Sequence, residues 1–543
     1  MGTNLVNEET LVLPKAMIEV ATNAADWVII LPVVLALLGA AILLMLRSTL
    51  RGQSVFAIIV VMAIIFIDVL LLLKILEFGP QTMTMGKWLA PFGISFSVDV
   101  IGAAFALAGA VVTLVVLIYV QADIASREVK YGFYTLVLLM LAGVSGAFMT
   151  GDLFNLYVWF EVMLISSFGL IIMGGRKIQL DGAIKYGFLN FLATTFFLIA
   201  LGYIYGLVGT LNMADIAIRA GDAPVGPISA IGALLLLAFG MKAAAFPVNA
   251  WLPASYHTPH PAVSALFGGL LTKVGVYALL RTLILILPSA REFLDPLITG
   301  LAVATLILAP LGALSQTNLR RAIGFFLIGG VGVVMAGLAM PTMRGVAGAS
   351  IYVFHSMLSI AALYLLAGLI ERMSGTDDTR KMGGIYNASS LMSILFLVMI
   401  FAIAGLPPFL GFWPKLLLIE AGASQGDVVL IVALVINSFI TLIAGTRLWS
   451  HIFWRVGREG ENSEQVNDRL EPLSLKDKWF GIAPTSILVI IVVWFGLFPN
   501  VVFDAGRTAA ADLLFSERYI QSTGIDMDIE NIDIENIDIE VKP

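Results

Sequence analysis

The sequence predicts an all-α membrane protein of about 14 transmembrane helices, and three observations carry that prediction. Hydrophobic residues make up 59% of the 543 residues, charged residues only 13%, and the mean hydropathy is +0.97, whereas soluble domains are about one-quarter charged. Runs of about 20 apolar residues, enough to cross a hydrocarbon core of about 30 Å, recur almost end to end. Between them stand short turns of Gly, Pro, Arg and Asp, too short to separate folded domains.

Three spans, Trp27 to Met45, Val55 to Leu76 and Phe96 to Val120, fill an N-terminal segment over 1–130. Five more make a first repeat over 131–290: Phe133 to Met149, Leu153 to Met173, Ala183 to Val208, Ile228 to Pro247 and Ala262 to Leu287. A second set of five covers 291–455: Leu297 to Leu314, Ile323 to Met340, Val346 to Ile370, Leu391 to Phe412 and Val428 to Phe453. Residues 456–523 hold a polar cytoplasmic loop and a last helix, Ile482 to Phe498; 524–543 repeat Ile-Asp-Ile-Glu-Asn, an acidic tail of low complexity expected to be disordered.

Basic residues set the orientation. Arg47, Arg51, Arg127, Lys130, Arg176, Lys177, Arg320, Arg321, Arg372, Arg380, Lys381, Arg455 and Arg458 follow odd-numbered spans; little beyond Lys87, Arg219, Arg291 and Arg344 follows even ones. The positive-inside rule then puts both termini outside a multi-pass membrane protein. Glu8 and Glu9 precede the first apolar run, so no cleavable signal is read there.

Two spans are built to break: Phe239-Gly-Met-Lys242-Ala-Ala-Ala-Phe-Pro247, and Ala404-Gly-Leu-Pro407-Pro408 through Pro414-Lys415. Proline removes a backbone donor and clashes with the preceding turn, which frees carbonyls for ions or water. Each break has a lysine beside it, at similar offsets of about 109 and about 118 residues from the start of its set of five spans. Five is an odd number of crossings, so the two sets would be inverted repeats.

Charged residues at mid-depth carry the functional signal, because a charge at the bilayer centre costs about 3 kcal/mol on insertion scales and usually lines a wet interior. Glu161, Lys242 and Lys273 lie too deep to snorkel; Lys415 follows the second break; His355 stands in the eleventh span between Phe354 and Ser356. The plain alternatives are a protonated Glu161 bonded between helices, a static Glu161–Lys242 pair, an interfacial Lys415 and a His355 that only bridges helices. Lys74 and Lys185 lie near span ends, where snorkelling is expected; Asp68 lies deeper with no evident partner. His257 and His260 have a Pro-rich spacing without a helical face, so no metal site is expected there. Cys is absent, which excludes thiolate–metal and disulfide chemistry. No nucleophile or cofactor constellation stands out, so enzymatic chemistry, cofactors and nucleic-acid partners are not expected.

Three segments carry a resemblance: Thr150-Gly-Asp-Leu-Phe-Asn-Leu-Tyr-Val-Trp-Phe-Glu161 through Gly169, Met241-Lys242-Ala-Ala-Ala-Phe-Pro-Val-Asn-Ala-Trp251-Leu-Pro253, and Leu271-Thr-Lys273-Val-Gly-Val-Tyr. From about Leu31 to Phe498 the chain resembles antiporter-like membrane subunits, and is most similar to the D subunits of multisubunit Mrp-type Na+/H+ antiporters. It lacks the long lateral helix of one complex I subunit and the extended C-terminal region of the Mrp A subunit. The resemblance implies a bacterial cell-membrane protein in a hetero-oligomeric complex that exchanges Na+ for protons. It also implies a Glu161–Lys242 charge pair, with Lys273, His355 and Lys415 continuing a polar axis. Related chains often carry a lysine just over one turn beyond the histidine, where this chain has Ile360. Two alternatives stand beside this expectation: a proton-pumping subunit of a complex I-like or hydrogenase enzyme, and a packing subunit that conducts nothing.

Overall fold

The computed structural model describes residues 23–47, 52–455 and 470–525. Among them eleven helices are long and apolar enough to cross a membrane, and three shorter apolar helices, Leu31–Met45, Phe133–Met149 and Ser390–Ala404, pack with them. In chain order we label α1 (Leu31–Met45), α2 (Gln53–Phe78), α3 (Val100–Tyr119), α4 (Phe133–Met149), α5 (Leu153–Ile172), α6 (Lys177–Val208), α7 (Val225–Ala243), α8 (Pro261–Ile286) and α9 (Asp295–Ser315). There follow α10 (Leu319–Ala339), α11 (Met343–Ser374), α12 (Ser390–Ala404), α13 (Phe412–Gln425), α14 (Val428–Trp454) and α15 (Asp477–Leu497).

Helix ends in a membrane cannot leave their first N–H groups unsatisfied, and the sequence supplies acceptors at them. Asp99 accepts from Gly102 N at the start of α3, Asp152 from Asn155 N at α5, Asn318 from Arg321 N at α10 and Thr342 from Gly345 N at α11. The burial of each helix then sorts centre from rim. For α8, α10 and α11, 94% of the most apolar window is inside the protein, against 28% for α2. These three helices are the core, and α2 faces outward.

Three features depart from the sequence reading. The predicted span Leu391 to Phe412 is the shorter α12, which stops at Ala404; the chain breaks and resumes as α13. Ile482 to Phe498 is not the last helix. Beyond α15 come α16 (Asn500–Leu514) and α17 (Glu517–Ser522), and α16 buries Val502, Gly506, Ala509, Ala510 and Leu513 while packing on α11 and α3. Between α2 and α3 an antiparallel hairpin, β1 (Gln81–Thr84) with β2 (Ser95–Val98), pairs Gln81 with Val98 and Thr84 with Ser95. The acidic tail from 526 and most of the polar loop, 456–469, lie outside the described residues.

Candidate functional site

The first break begins where α7 ends. Ala244 takes a left-handed backbone, φ 62°, and the chain runs non-helically to a short helix, Trp251–Ser255. Two bonds fix this turn: Trp251 Nε1 donates to Met241 O at 3.1 Å, and Phe246 N donates to Thr305 Oγ1 at 3.1 Å. Lys242 stands in the last helical turn and is buried. Its Nζ donates to Thr194 Oγ1 at 3.3 Å and lies 4.5 Å from the centroid of the Phe160 ring, a cation–π contact.

Helix α8 brings Lys273 beside this break. Any Cβ on Gly275 would stand 2.9 Å from Ala243 N and 3.2 Å from the Lys242 carbonyl carbon, so only glycine lets the two backbones touch. Residues Phe267–Leu271 form a π turn, a rare distortion often found at functional sites. Lys273 Nζ donates to Gly268 O within that turn at 2.7 Å and approaches Thr272 Oγ1 at 3.4 Å.

His355 is fully buried on α11, within electrostatic reach of both Lys273 and Lys415. Its Nδ1 meets Ser359 Oγ at 3.2 Å, while Nε2 faces the second break beside Ala402, 2.8 Å from where a Gly411 Cβ would stand. That break frees the last carbonyls of α12, and Lys415 takes them. Its Nζ donates to Ile403 O at 3.1 Å, Ala404 O at 2.9 Å and Ser438 Oγ at 2.9 Å.

Glu161 corrects the sequence expectation in two ways. It lies midway along α5 but is partly exposed rather than buried. Nor does it form a contact pair with Lys242: Glu161 makes no hydrogen bond or ion pair among the described residues, though it acts electrostatically on Lys242, Tyr157 and Tyr186. The lysine is held by Thr194 and Phe160 instead.

Sequence reasoning missed the polar stripe that receives Lys242. Tyr186, Asn190 and Thr194 are buried at every fourth position of α6, linked by Asn190 Nδ2 to Tyr186 O at 2.9 Å and Thr194 Oγ1 to Asn190 O at 2.7 Å. Three polar residues spaced by one turn in an apolar span were the available signal. Also missed was an ionic cluster near the end of α8 away from His260. Arg281, fully buried, pairs with Asp99 at 2.8 Å, and Arg518 on α17 pairs with Asp512 on α16 at 3.2 Å. Burial, with the nearby Asp99 charge, pushes the Asp512 carboxyl up to about 7.

The remaining candidates lie elsewhere. Lys74 pairs with Asp26, Lys185 with Asp181 and His260 with Asp123. His257 is held by Pro253 O at 2.9 Å on Nδ1 and accepts from Arg321 Nη2 at 3.1 Å on Nε2; burial and that arginine bring it down to about 4. Asp68 is buried on α2 with neither oxygen hydrogen-bonded.

A family model described as NADH:quinone oxidoreductase/Mrp antiporter, TM, matches residues 150–441, a range that includes Glu161, Lys242, Lys273, His355 and Lys415. The D-type Na(+)/H(+) antiporter subunit of Bacillus subtilis (strain 168) is 36% identical over 495 residues, 91% of this chain and 98% of that one. Its counterpart in Alkalihalophilus pseudofirmus is 35% identical over 496 residues, again 91% and 98%. Among solved structures, the Mrp complex from Dietzia sp. DQ12-45-1b contains a chain with TM-score 0.85 and 27% identity, covering 92% of this chain and 100% of that one. Respiratory complex I from Thermus thermophilus shares the fold, with TM-score 0.76 and 20% identity, covering 92% and 100%. With a match that spans both breaks and relatives alike over nine-tenths of the chain, this protein belongs to the NADH:quinone oxidoreductase/Mrp antiporter membrane family, as a D-type component of a Na+/H+ antiporter.

Proposed function

We propose that this subunit carries the protons of the exchange, along Glu161, Lys242, Lys273, His355 and Lys415, while the assembled complex exports Na+. The reading rests on one observation above all. Each of the three lysines stands at a helix irregularity, Lys242 and Lys415 at the two breaks and Lys273 beside the Phe267–Leu271 π turn; α8 lies against the first break, and His355 faces the second within electrostatic reach of Lys273 and Lys415. Lysines are costly in a membrane interior unless they are used or paired, and among the described residues no acid pairs with these three.

The proposed switch works by distance. With Glu161 beside it, the Lys242 ammonium keeps its proton; with the acid withdrawn, the buried cation loses its counter-charge and gives its proton up, Lys273 being its neighbour along the axis. Thr194 and Phe160 are the groups that hold the lysine in the separated arrangement. Lys415 then gates the opposite side through His355 and ordered water. Three lysines repel a bare cation, which suits this axis to protons and leaves the Na+ path to another part of the complex.

The partial exposure of Glu161 supports the same reading from outside. An acid at mid-depth needs a polar neighbour rather than lipid, and a helix of another subunit supplies one. We place the ends of α5, α9 and α11 according to the basic residues, with Arg176, Arg320 and Arg372 at the cytoplasmic face of the bacterial cell membrane and both termini outside. The two sets of five spans, 131–290 and 291–455, we read as inverted repeats, each with one broken helix.

Glu161→Gln tests the switch. The expected outcome in vesicles holding the complete complex is loss of Na+-dependent proton exchange with normal complex yield; full exchange would falsify the paired-charge switch. Loss of assembly without a specific loss of exchange would favour the packing-subunit alternative. A redox-linked role is favoured less, since identity is 36% to the antiporter subunit and 20% to the complex I chain.

A further inference from the structure

Lys242 borders a small chamber of about 20 Å³, lined by Phe160, Tyr186, Asn190, Trp251 and Tyr256 among others. One water needs about 10 to 15 Å³ and two to four polar partners. This chamber offers the Lys242 ammonium, the Asn190 amide and the Tyr256 hydroxyl. Tyr256 is fully buried and its hydroxyl has no hydrogen-bond partner, a costly state that a water in the chamber would relieve.

A second orphan hydroxyl stands close by. Tyr364 on α11 is fully buried, its Oη unpartnered and within electrostatic reach of Tyr256. Its ring lies against Gly268, whose carbonyl holds Lys273, and its Oη lies 3.4 Å from where a Gly324 Cβ would stand. Leu252 and Pro253, just before Tyr256, meet that same point on α10. Tyr364 is also in electrostatic reach of Arg320, which pairs with Glu371 at 2.9 Å. Glu371 follows Tyr364 by two turns on one face of α11, about 10 Å along the axis.

We propose that Tyr256 and Tyr364 are the cytoplasmic proton port of Lys242, with one water held by Asn190 joining the lysine to the first hydroxyl. This deepens the proton-relay reading and rests on it. One proton leaves Lys242 Nζ for the water; the water, Tyr256 and Tyr364 each pass on one hydrogen and receive one; one proton arrives, through water at the cytoplasmic face, on a Glu371 carboxylate oxygen. No charge other than the proton moves.

Tyr256→Phe and Tyr364→Phe, alone and together, test the port in vesicles holding the complete complex, with rates normalised to assembled complex. The expected result is a loss of at least tenfold in exchange rate for each, an unchanged KM for Na+, and a double variant no slower than the slower single one, because both hydroxyls lie on one path. The solvent deuterium isotope effect should rise in each, since proton transfer becomes limiting; a merely structural defect lowers the rate and leaves that effect alone. Wild-type rate in either variant, or a slower rate with an unchanged isotope effect, overturns the port. Glu161→Gln in the same vesicles separates the two ideas: an inactive Glu161→Gln beside a fully active Tyr256→Phe removes the port and keeps the switch, whereas an active Glu161→Gln removes the switch.

Discussion

The two broken helices place their lysines on opposite sides of the gap and hold them very differently. Lys242 closes the helix before the break and has one long bond to a hydroxyl and one aromatic face. Lys415 opens the helix after the break and caps two freed carbonyls and a serine. The second lysine is therefore part of what keeps its break folded, and the first is nearly free of that duty. Similar sequences, a lysine near Gly and Pro in an apolar span, tie one lysine to the freed backbone of its break and leave the other with a single side-chain bond and a ring face.

The largest expected effect breaks this contrast directly. Lys415→Met should strand two buried carbonyls, at about 1 to 3 kcal/mol each, and lower complex yield as well as exchange. Lys242→Met should abolish exchange and leave yield near normal. Native electrophoresis beside vesicle assays reads both, and equal yields in the two variants would remove the distinction.

Next in size is Gly275→Ala, whose methyl meets backbone at the first break. Overpacking of this kind costs about 1 to 3 kcal/mol, and exchange should fall by more than tenfold because Lys242 and Lys273 are pushed apart. Gly300→Ala on α9, which faces open space, is the control and should leave rate and melting temperature unchanged.

A smaller effect compares the turn residues. Gly405, at φ 85°, and Ala244, at φ 62°, each follow the last residue of the helix before a break. Gly405→Ala should destabilise by about 1 to 2 kcal/mol through the left-handed backbone, more if Lys415 is forced aside. Ala244→Gly should be neutral or stabilise by up to about 1 kcal/mol. Thermal unfolding of the purified complex distinguishes them, and a destabilised Ala244→Gly would contradict the strain argument.

The smallest lies outside the spans. Asp512 is raised from 3.8 to about 7, so between those pH values the docked helix binds a proton that the undocked one has lost. Docking of α16 should therefore be firmest at low pH and weaken as pH rises through about 7. Hydrogen exchange over residues 500–525 at pH 5 and pH 8 measures this, and Asp512→Asn should make the two alike.

What could be read in advance followed from composition and from proline. The apolar runs gave the helices, and the Gly and Pro clusters at Phe239–Pro247 and Ala404–Pro414 gave both breaks, because backbone that cannot stay helical is visible in one dimension. The exposure of Glu161 was hidden: depth along a span is a property of sequence, but the direction a residue faces depends on which helices pack against it. α16 was hidden for another reason, since Asp504, Arg507 and Asp512 interrupt its small apolar face and make it resemble a polar tail. The stripe of Tyr186, Asn190 and Thr194 was legible and overlooked, because none of the three carries a charge.

The π turn at Phe267–Leu271 also sets the phase of everything after it in α8. One residue more than a regular turn would hold rotates the following side chains by about 100° relative to an unbroken wheel. A periodicity plot drawn from Pro261 onward thus points Lys273, Tyr277 and Arg281 the wrong way. Deleting a single residue from that turn would straighten the helix and swing all three out of alignment at once, so in this segment chain length is as specific as residue type.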